Sequence, residues 1–363
     1  MIQMKKLIYV LYNELSNKLI LIIIIMTFNI EKNEEKPNLK LFCEVTKNSY
    51  GCFDLDNTFD VFRTVNDLLM LVYSTKSKSI ICYDLVNFCI LTEIKTCHNA
   101  FITNIRHFIN KNNKIDIIIS ISDRDNNLKV WDINNCECIL NIFHANNSGF
   151  LCSACLINED NNIYILSSNC NTFGENEKIK IYDLKGKIIN QINDSNEKTY
   201  FIDTFYDTLS NKRFILTGND NYIKSYDYKN NNLYKKYFDI ESGIHISIKI
   251  LERNNSISLI ESCSFGLIRI WNFHLAELLN KIKVDNDWIF GICLWDEDYA
   301  FIACKLKIIK LVNLTKGIIE KNLEGHYSGI FTIKKINHPK YGECLLSQGY
   351  ENDQIKLWIN QGK

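Results

Sequence analysis

Proline is nearly absent, with two in 363 residues, and that excludes Pro-rich linkers. An excess of either charge is also absent. Lys plus Arg and Asp plus Glu each number 42. Bulk electrostatics therefore do not draw the chain to nucleic acid or to an anionic membrane surface, and such binding would need a local patch. Apolar residues make up 46% and charged residues 23%, the balance of a globular chain and not of a disordered or polytopic membrane protein. Asn, Ile and Lys are abundant throughout, a broad bias that leaves any single Asn or Lys carrying little information.

Long uninterrupted hydrophobic runs are missing as well. The N-terminus, MIQMKKLIYVLYNELSNKLILIIIIMTFNI, comes nearest. Asn13, Glu14, Ser16, Asn17 and Lys18 divide it, so it falls short of the ~20 apolar residues of a membrane span. Three readings stay open for residues 1–37: an unstructured extension with Met26 as the real start, an anchor lying at or in a membrane, or a signal peptide without a clear cleavage site. EKNEEKP at 31–37 is a charged linker in each case.

Fourteen cysteines are present, mostly among Ile, Leu and Val. They lack the loop spacing of a disulfide framework and read as small hydrophobes in a reducing, cytoplasmic setting. Cys152-Ser-Ala-Cys155 lies in an expected strand, where positions i and i+3 point to opposite faces. No metal site is expected there. No glycine-rich phosphate loop, nucleophile elbow or Cys-His pair occurs, so neither catalysis nor a cofactor is expected. His107, His245, His274 and His338 show no partner pattern. Basic residues, as in IKIYDLKGKI, read as a solvated outer strand balanced by acids.

From residue 38 the chain is a series of four-to-eight-residue apolar or alternating runs divided by Asn, Asp, Gly and Ser, which predicts an all-β fold. A period emerges from the run ends: IICYD (Tyr83), LKVWD (Trp131), IKIYD (Tyr182), IKSYD (Tyr226), IRIWN (Trp271), IKLVN (Val312) and IKLWI (Trp358). The steps are 48, 51, 44, 45, 41 and 46 residues. Spacing in the mid-forties with four short strands per step is the signature of a propeller blade.

In these residues the chain resembles the WD-repeat family over 38–360. The last repeat carries Gly325-His326, Ser347 and Trp358. The second carries His98, Ser120 or Ser122, Asp125, Trp131 and Asp132. The fourth keeps Asp220 six residues before Tyr226, and Trp271 closes the fifth. The resemblance implies that the His, Ser, Asp and Trp of one blade form a buried hydrogen-bonded set. Departures are many: most repeats lack the Gly-His pair, and Ser77, Asn176, Phe265, Leu306 and Asn352 stand where the family has Asp.

The resemblance also implies a ring in which each repeat gives the outer strand of one blade and three strands of the next. Leu39–Val45, alternating apolar and polar, would then supply the outer strand missing from the last blade. The expectation is a seven-bladed β-propeller, one domain over 38–363, closed by that N-terminal strand and preceded by the hydrophobic extension. A closed ring leaves no long exposed sheet edge.

Phe101, Phe150, Phe201 and Trp288 stand at the entry to the innermost strands. Phe173, Phe265 and Tyr350 stand in the second-to-third strand connections. In the family these positions rim the narrow face, where peptides dock. The rings are either interface anchors or inter-blade packing. The insertion at 169–178 (NCNTFGENEK) would project from the same face.

Residues after the aromatic-Asp pair (Ile133-Asn134, Leu184-Lys185, Phe273-His274) lack the Arg of the family's cullin-ligase adaptors. The chain also has no Arg-Arg pair of the kind that marks phosphoinositide-binding propellers. The expected function is a non-catalytic scaffold whose partners are other proteins or peptides, monomeric within a larger complex and without nucleic acid. The alternative is a propeller tethered to a membrane by its N-terminal segment.

Overall fold

The computed structural model describes residues 36–361 except 47–48, 50–57, 96, 111–113, 123–124, 126, 144–148, 160–161, 172–176, 195–197, 242, 254–255 and 351–352. The N-terminal hydrophobic segment, Phe173 and most of the 169–178 insertion lie outside them. The described chain is all β: seven four-stranded antiparallel sheets in sequence order make a seven-bladed β-propeller. Blade 1 spans Phe59–Ile94, blade 2 Ile102–Phe143, blade 3 Gly149–Asp194, blade 4 Thr199–Tyr237, blade 5 His245–Lys283, blade 6 Ile289–Glu324 and blade 7 Ile330–Asn360. The fourth strand of blade 7 is Leu39–Glu44 from the other end of the chain, paired from Leu39↔Asn360 to Glu44↔Lys356. Val45 N–H extends the pairing by donating to Ile355 O at 2.7 Å.

The inner three strands of each blade are covered on both faces by neighbouring blades, so they read as continuous apolar runs. Leu69–Ser74 and Ile80–Asp84 are buried along their whole length, whereas the outer strand Cys89–Ile94 buries only Ile94. Seven apolar clusters fill the seven blade interfaces. Phe59 and Leu71 of blade 1 meet Leu346 and Leu357 of blade 7, and Ile119 and Val130 of blade 2 meet Leu151 and Ile163 of blade 3. Cys155 sits in the blade 3–4 cluster beside Leu166 and Ile202. Burial there pushes its thiol pKa up, as expected of a core residue.

The repeated aromatic-Asx pair does two jobs. The aromatic ends the third strand at a register shift against the outer strand, as at Val130/Trp131 and Ile270/Trp271. The Asp or Asn after it caps the next turn. Asp84 Oδ1 accepts Val86 and Asn87 N–H, Asp132 Oδ1 accepts Asn134 N–H, Asp183 Oδ1 accepts Lys185 N–H, and Asn272 Oδ1 accepts His274 and Leu275 N–H. Such Asx turns replace the missing ladder bonds at each reversal.

Inner strands of blades 2–7 carry a bulge just past their entry, between Ile102/Asn104, Leu151/Ser153, Thr199/Phe201, His245/Ser247, Ile289/Gly291 and Ile330/Thr332. The extra residue re-aims its side chain. In blades 5, 6 and 7 these residues, Ile246, Phe290 and Phe331, pack on one another instead of into a blade interface.

Gly266, between the second and third strands of blade 5, has φ +67°, and a Cβ there would fall 2.2 Å from Asp285 O and 2.6 Å from Asp287 O. Both the dihedral and the close backbone approach require glycine. Gly266→Ala is expected to lower stability by about 2 kcal/mol, read as the urea midpoint. An unchanged midpoint would contradict the close seating of this turn on the Asp285–Asp287 segment.

Candidate functional site

Antiparallel strands place the second-to-third connections and the connections between blades on one face, called the upper face below. Among the described residues, two hydrogen-bonded sets hold it. In blade 7, His326 Nδ1 lies 2.9 Å from Asp353, Ser347 Oγ donates to His326 Nε2 at 2.6 Å, and Trp358 Nε1 donates to Ser347 Oγ at 2.7 Å. Asp353 also accepts the backbone N–H groups of Tyr327 and Ser328. In blade 2, His98 joins Asp125 at 3.1 Å and Ser120 at 2.8 Å, and Trp131 donates to Ser120 at 2.8 Å. Ser120, not Ser122, is the shared hydroxyl.

Several residues differ from the sequence reading. Counting six residues back from Trp358 points to Asn352, yet the acid of the set is Asp353: serine and tryptophan stand 11 residues apart in both blades, and the acid sits one position later within that same span. Asp220 joins no histidine; it accepts the hydroxyl of Tyr200, the bulged residue of its blade, at 2.8 Å. Trp271 donates to Glu261 at 3.1 Å, a buried carboxylate where blades 2 and 7 have serine. Arg269 (2.9 Å) and His245 donate to the same carboxylate. The remaining described histidines are also engaged: His107 with Asp116 at 2.7 Å, His338 with Leu85 O at 3.1 Å and His274 with Tyr234 at 3.0 Å.

The basic residue two positions before the aromatic is not a solvated outer-strand side chain. Lys224, Arg269 and Lys356 are buried on third strands. Their reach is inward, to carbonyls of the upper-face connections: Lys129 to Cys97 O at 2.6 Å, Lys310 to Val284 O at 2.7 Å, Lys356 to Gly325 O at 2.6 Å, and Arg269 to Glu241 O. Each satisfies a backbone acceptor that the strand ladder leaves open.

Ser347, His326 and Asp353 share the connectivity of a nucleophile, base and orienting acid. Ser347 is fully buried, and its Oγ is engaged on one side by the histidine and on the other by the tryptophan N–H. The set leaves no place for a substrate at that oxygen and acts as a structural clamp.

The candidate aromatics separate. Phe201 is 2% exposed and lies in the blade 4–5 core with Ile248 and Trp271, not on the rim. The ladder of its blade begins at Thr199, so the entry position is Lys198, and apolar alternation alone did not locate that start. Phe150 occupies the entry to blade 3, with its side chain outside the described set. Phe101 is half-buried at the entry to blade 2. Trp288 and Tyr350 are brought together through Phe290 and Phe331, with successive ring centroids 5.9, 4.2 and 5.8 Å apart. Phe265 stands 51% exposed on the next turn.

Around these rings the same sector exposes Ile240 (90%), Tyr327 (74%), Leu306 (53%) and Phe238 (52%), which sequence reading did not single out. Parallel backbone bonds fix their turns: Ser264 N–H to Ile244 O, Lys305 N–H to Trp288 O and Tyr350 N–H to Gly329 O. The site is therefore a row of rigid upper-face turns over blades 5–7 that presents large apolar side chains to solvent. No protein-family model matches the chain, and no curated protein matches it.

Burial would raise the carboxyls of Asp125 and Asp353, but bonds from His98 and His326 and from backbone N–H groups outweigh it and hold both at about 2. Burial also pulls His326 below its ordinary value, against the upward pull of Asp353. Depressed carboxyls give stability that is present above about pH 4 and lost as pH falls toward 2. The depressed histidine adds a loss that begins below about pH 6.5. In Asp353→Asn the acid limb is expected to shrink: the stability gap to the wild type narrows by about 2 kcal/mol between pH 4 and pH 2. Parallel curves for the two proteins in urea titrations would contradict this assignment.

Proposed function

We propose that the protein is a WD-repeat propeller that serves as a non-catalytic scaffold binding other proteins or peptides through the upper face of blades 5–7. The observation that carries this reading is the set of large apolar side chains held out on rigid turns there: Ile240, Tyr327, Leu306, Phe238 and Phe265. Large apolar side chains exposed on neighbouring turns of one face point to an interaction site, and turns already fixed in place lose little entropy when a partner docks. Trp288 and Tyr350 at the channel mouth supply half-buried aromatic anchors beside it.

Membership of the WD-repeat family is supported by the two His-Ser-Asp-Trp sets and by the aromatic-Asx period. A reducing, intracellular setting is supported by the buried free thiols of Cys82, Cys97, Cys263, Cys304 and Cys344.

The test is affinity capture from cells with quantitative mass spectrometry, using the full chain, the double variant Leu306→Asp/Tyr327→Asp, and Leu209→Asp. Leu209 is equally exposed but lies in a first-to-second strand connection on the opposite face. A partner in stoichiometric amount is expected with the wild type and with Leu209→Asp, and its loss is expected with the double variant. Equal capture by all three, or no specific partner from any, would contradict the scaffold reading.

A further inference from the structure

Each blade ends on an outer strand, and among the described residues no further strand pairs with that outer edge. Such an edge offers a row of open backbone N–H and C=O groups, which soluble proteins guard with charge, proline or short length. Most outer strands here are guarded by charge. Leu233–Tyr237 and Leu278–Lys283 carry two lysines each, Ile318–Glu324 three charged residues and Leu39–Glu44 two. Glu137–Phe143 of blade 2 is different. Over 7 residues it has no proline and no charge after Glu137 at its first position.

This strand is fixed from one side only. Ile142 is buried against blade 3, and Leu140 packs beside it. Ile139, Asn141 and Phe143 alternate with them and stand exposed, Ile139 at 49% and Phe143 at 65%. Lys129, which pairs with Asn141 across the ladder, is bonded inward to Cys97 O. Edges of neighbouring blades point outward from the ring and diverge, so they leave this one accessible.

Its sequence is also self-complementary. When an antiparallel strand pairs with a copy of itself about a twofold axis, residues equidistant from the centre meet. The outer strands of blades 1, 3, 4, 5 and 6 expose large apolar side chains near their starts only, as at Ile90 and Leu91. Self-pairing would set those side chains against the other, polar end. Glu137–Phe143 exposes them on both sides of Asn141. About that residue, Ile139 of each copy faces Phe143 of the other, a β-branched–aromatic pair formed twice. Leu140 faces Ile142, and the two Glu137 residues lie roughly 26 Å apart, too far to repel strongly.

We propose that two copies of this chain pair through Glu137–Phe143, antiparallel about Asn141, so that two blades join into one continuous sheet. This departs from the monomer expected from the sequence and goes beyond the scaffold reading. Blade 2 lies across the ring from blades 5 and 6, so the dimer presents two upper-face sectors, both clear of the junction. One strand pair is a small contact, which places the dimer in the weak, concentration-dependent class.

The test is sedimentation equilibrium of the full chain over a concentration series, beside Ile139→Lys/Phe143→Lys, Leu233→Lys and Leu306→Asp/Tyr327→Asp. All the altered side chains are exposed, and circular dichroism and melting temperature check each fold. The wild-type mass is expected to rise with concentration toward that of two chains. In Ile139→Lys/Phe143→Lys, like charges meet at both cross-strand pairs, and association should weaken about tenfold or more. The other two variants should associate as the wild type does. A monomer at every concentration, or association that survives Ile139→Lys/Phe143→Lys, would overturn the pairing and leave the scaffold reading standing. A cellular partner lost with Ile139→Lys/Phe143→Lys from a chain that stays monomeric would assign the edge to another protein's strand, and the self-pairing would fall.

Discussion

The pairing of Leu39–Glu44 with Lys356–Asn360 joins the two ends of the described chain, and the burial of every blade depends on it. A blade's inner three strands are apolar on both faces, so each sheet needs a neighbour on each side. Only a ring gives every sheet two neighbours. The fourth strand of blade 7 covers Trp358 and brings Leu39 into the blade 6–7 core with Leu311 and Leu323. Without it, blade 7 would end on an unpaired third strand, and the Lys356–Glu44 contact at 3.0 Å would be lost with it.

A closed ring fixes the strands but leaves its connections to be anchored separately, and the polar side chains do that work. Where a strand ladder ends at the upper face, a carbonyl or N–H would be left open. Lys129, Arg269, Lys310 and Lys356 take the carbonyls, while Asp125 and Asp353 take the N–H groups. Arg269, Lys356 and Asp353 are buried and Lys129, Lys310 and Asp125 half-buried, so their bonds are made in a medium that makes an unmet partner costly. Stiff turns follow, and large apolar residues at their tips stay exposed because the backbone beneath them is not free to fold them in. Ile240 is the clearest case: Arg269 bonds the Asp239 carboxylate on one side of it and the Glu241 carbonyl on the other.

Much of this is legible in the sequence, and for a definite reason. The aromatic-Asx pair recurs because one residue packs between blades while the next caps a turn, so two independent needs mark the same spot. The closing strand is legible from its alternation, since an outer strand is covered on one side only. What stays hidden depends on contacts between residues far apart in the chain. Glu261 as a replacement for serine makes sense only once Arg269 and His245 are seen to surround it. Lys224 and Lys356 look like any lysine in a lysine-rich chain until their strand is known to be the buried third. Asp353 and Phe201 are matters of register. The acid moves one position along a turn of unchanged length, and a ladder that starts at Thr199 draws Phe201 inward; neither leaves a local signal.

A rigid ring whose turns are held at one face is a suitable base for recognition, because the shape presented is the same before and after a partner arrives. That account stands on the ring being closed by its N-terminal strand. Hydrogen–deuterium exchange of the full chain tests this most directly, with the Val45 amide, which donates to Ile355 O, as the reporter. The account predicts that this amide and the bonded amides of Lys356–Asn360 exchange together, at the slow rate set by global unfolding. Exchange of the Val45 amide orders of magnitude faster than the third strand, with the other blades still protected, would contradict it.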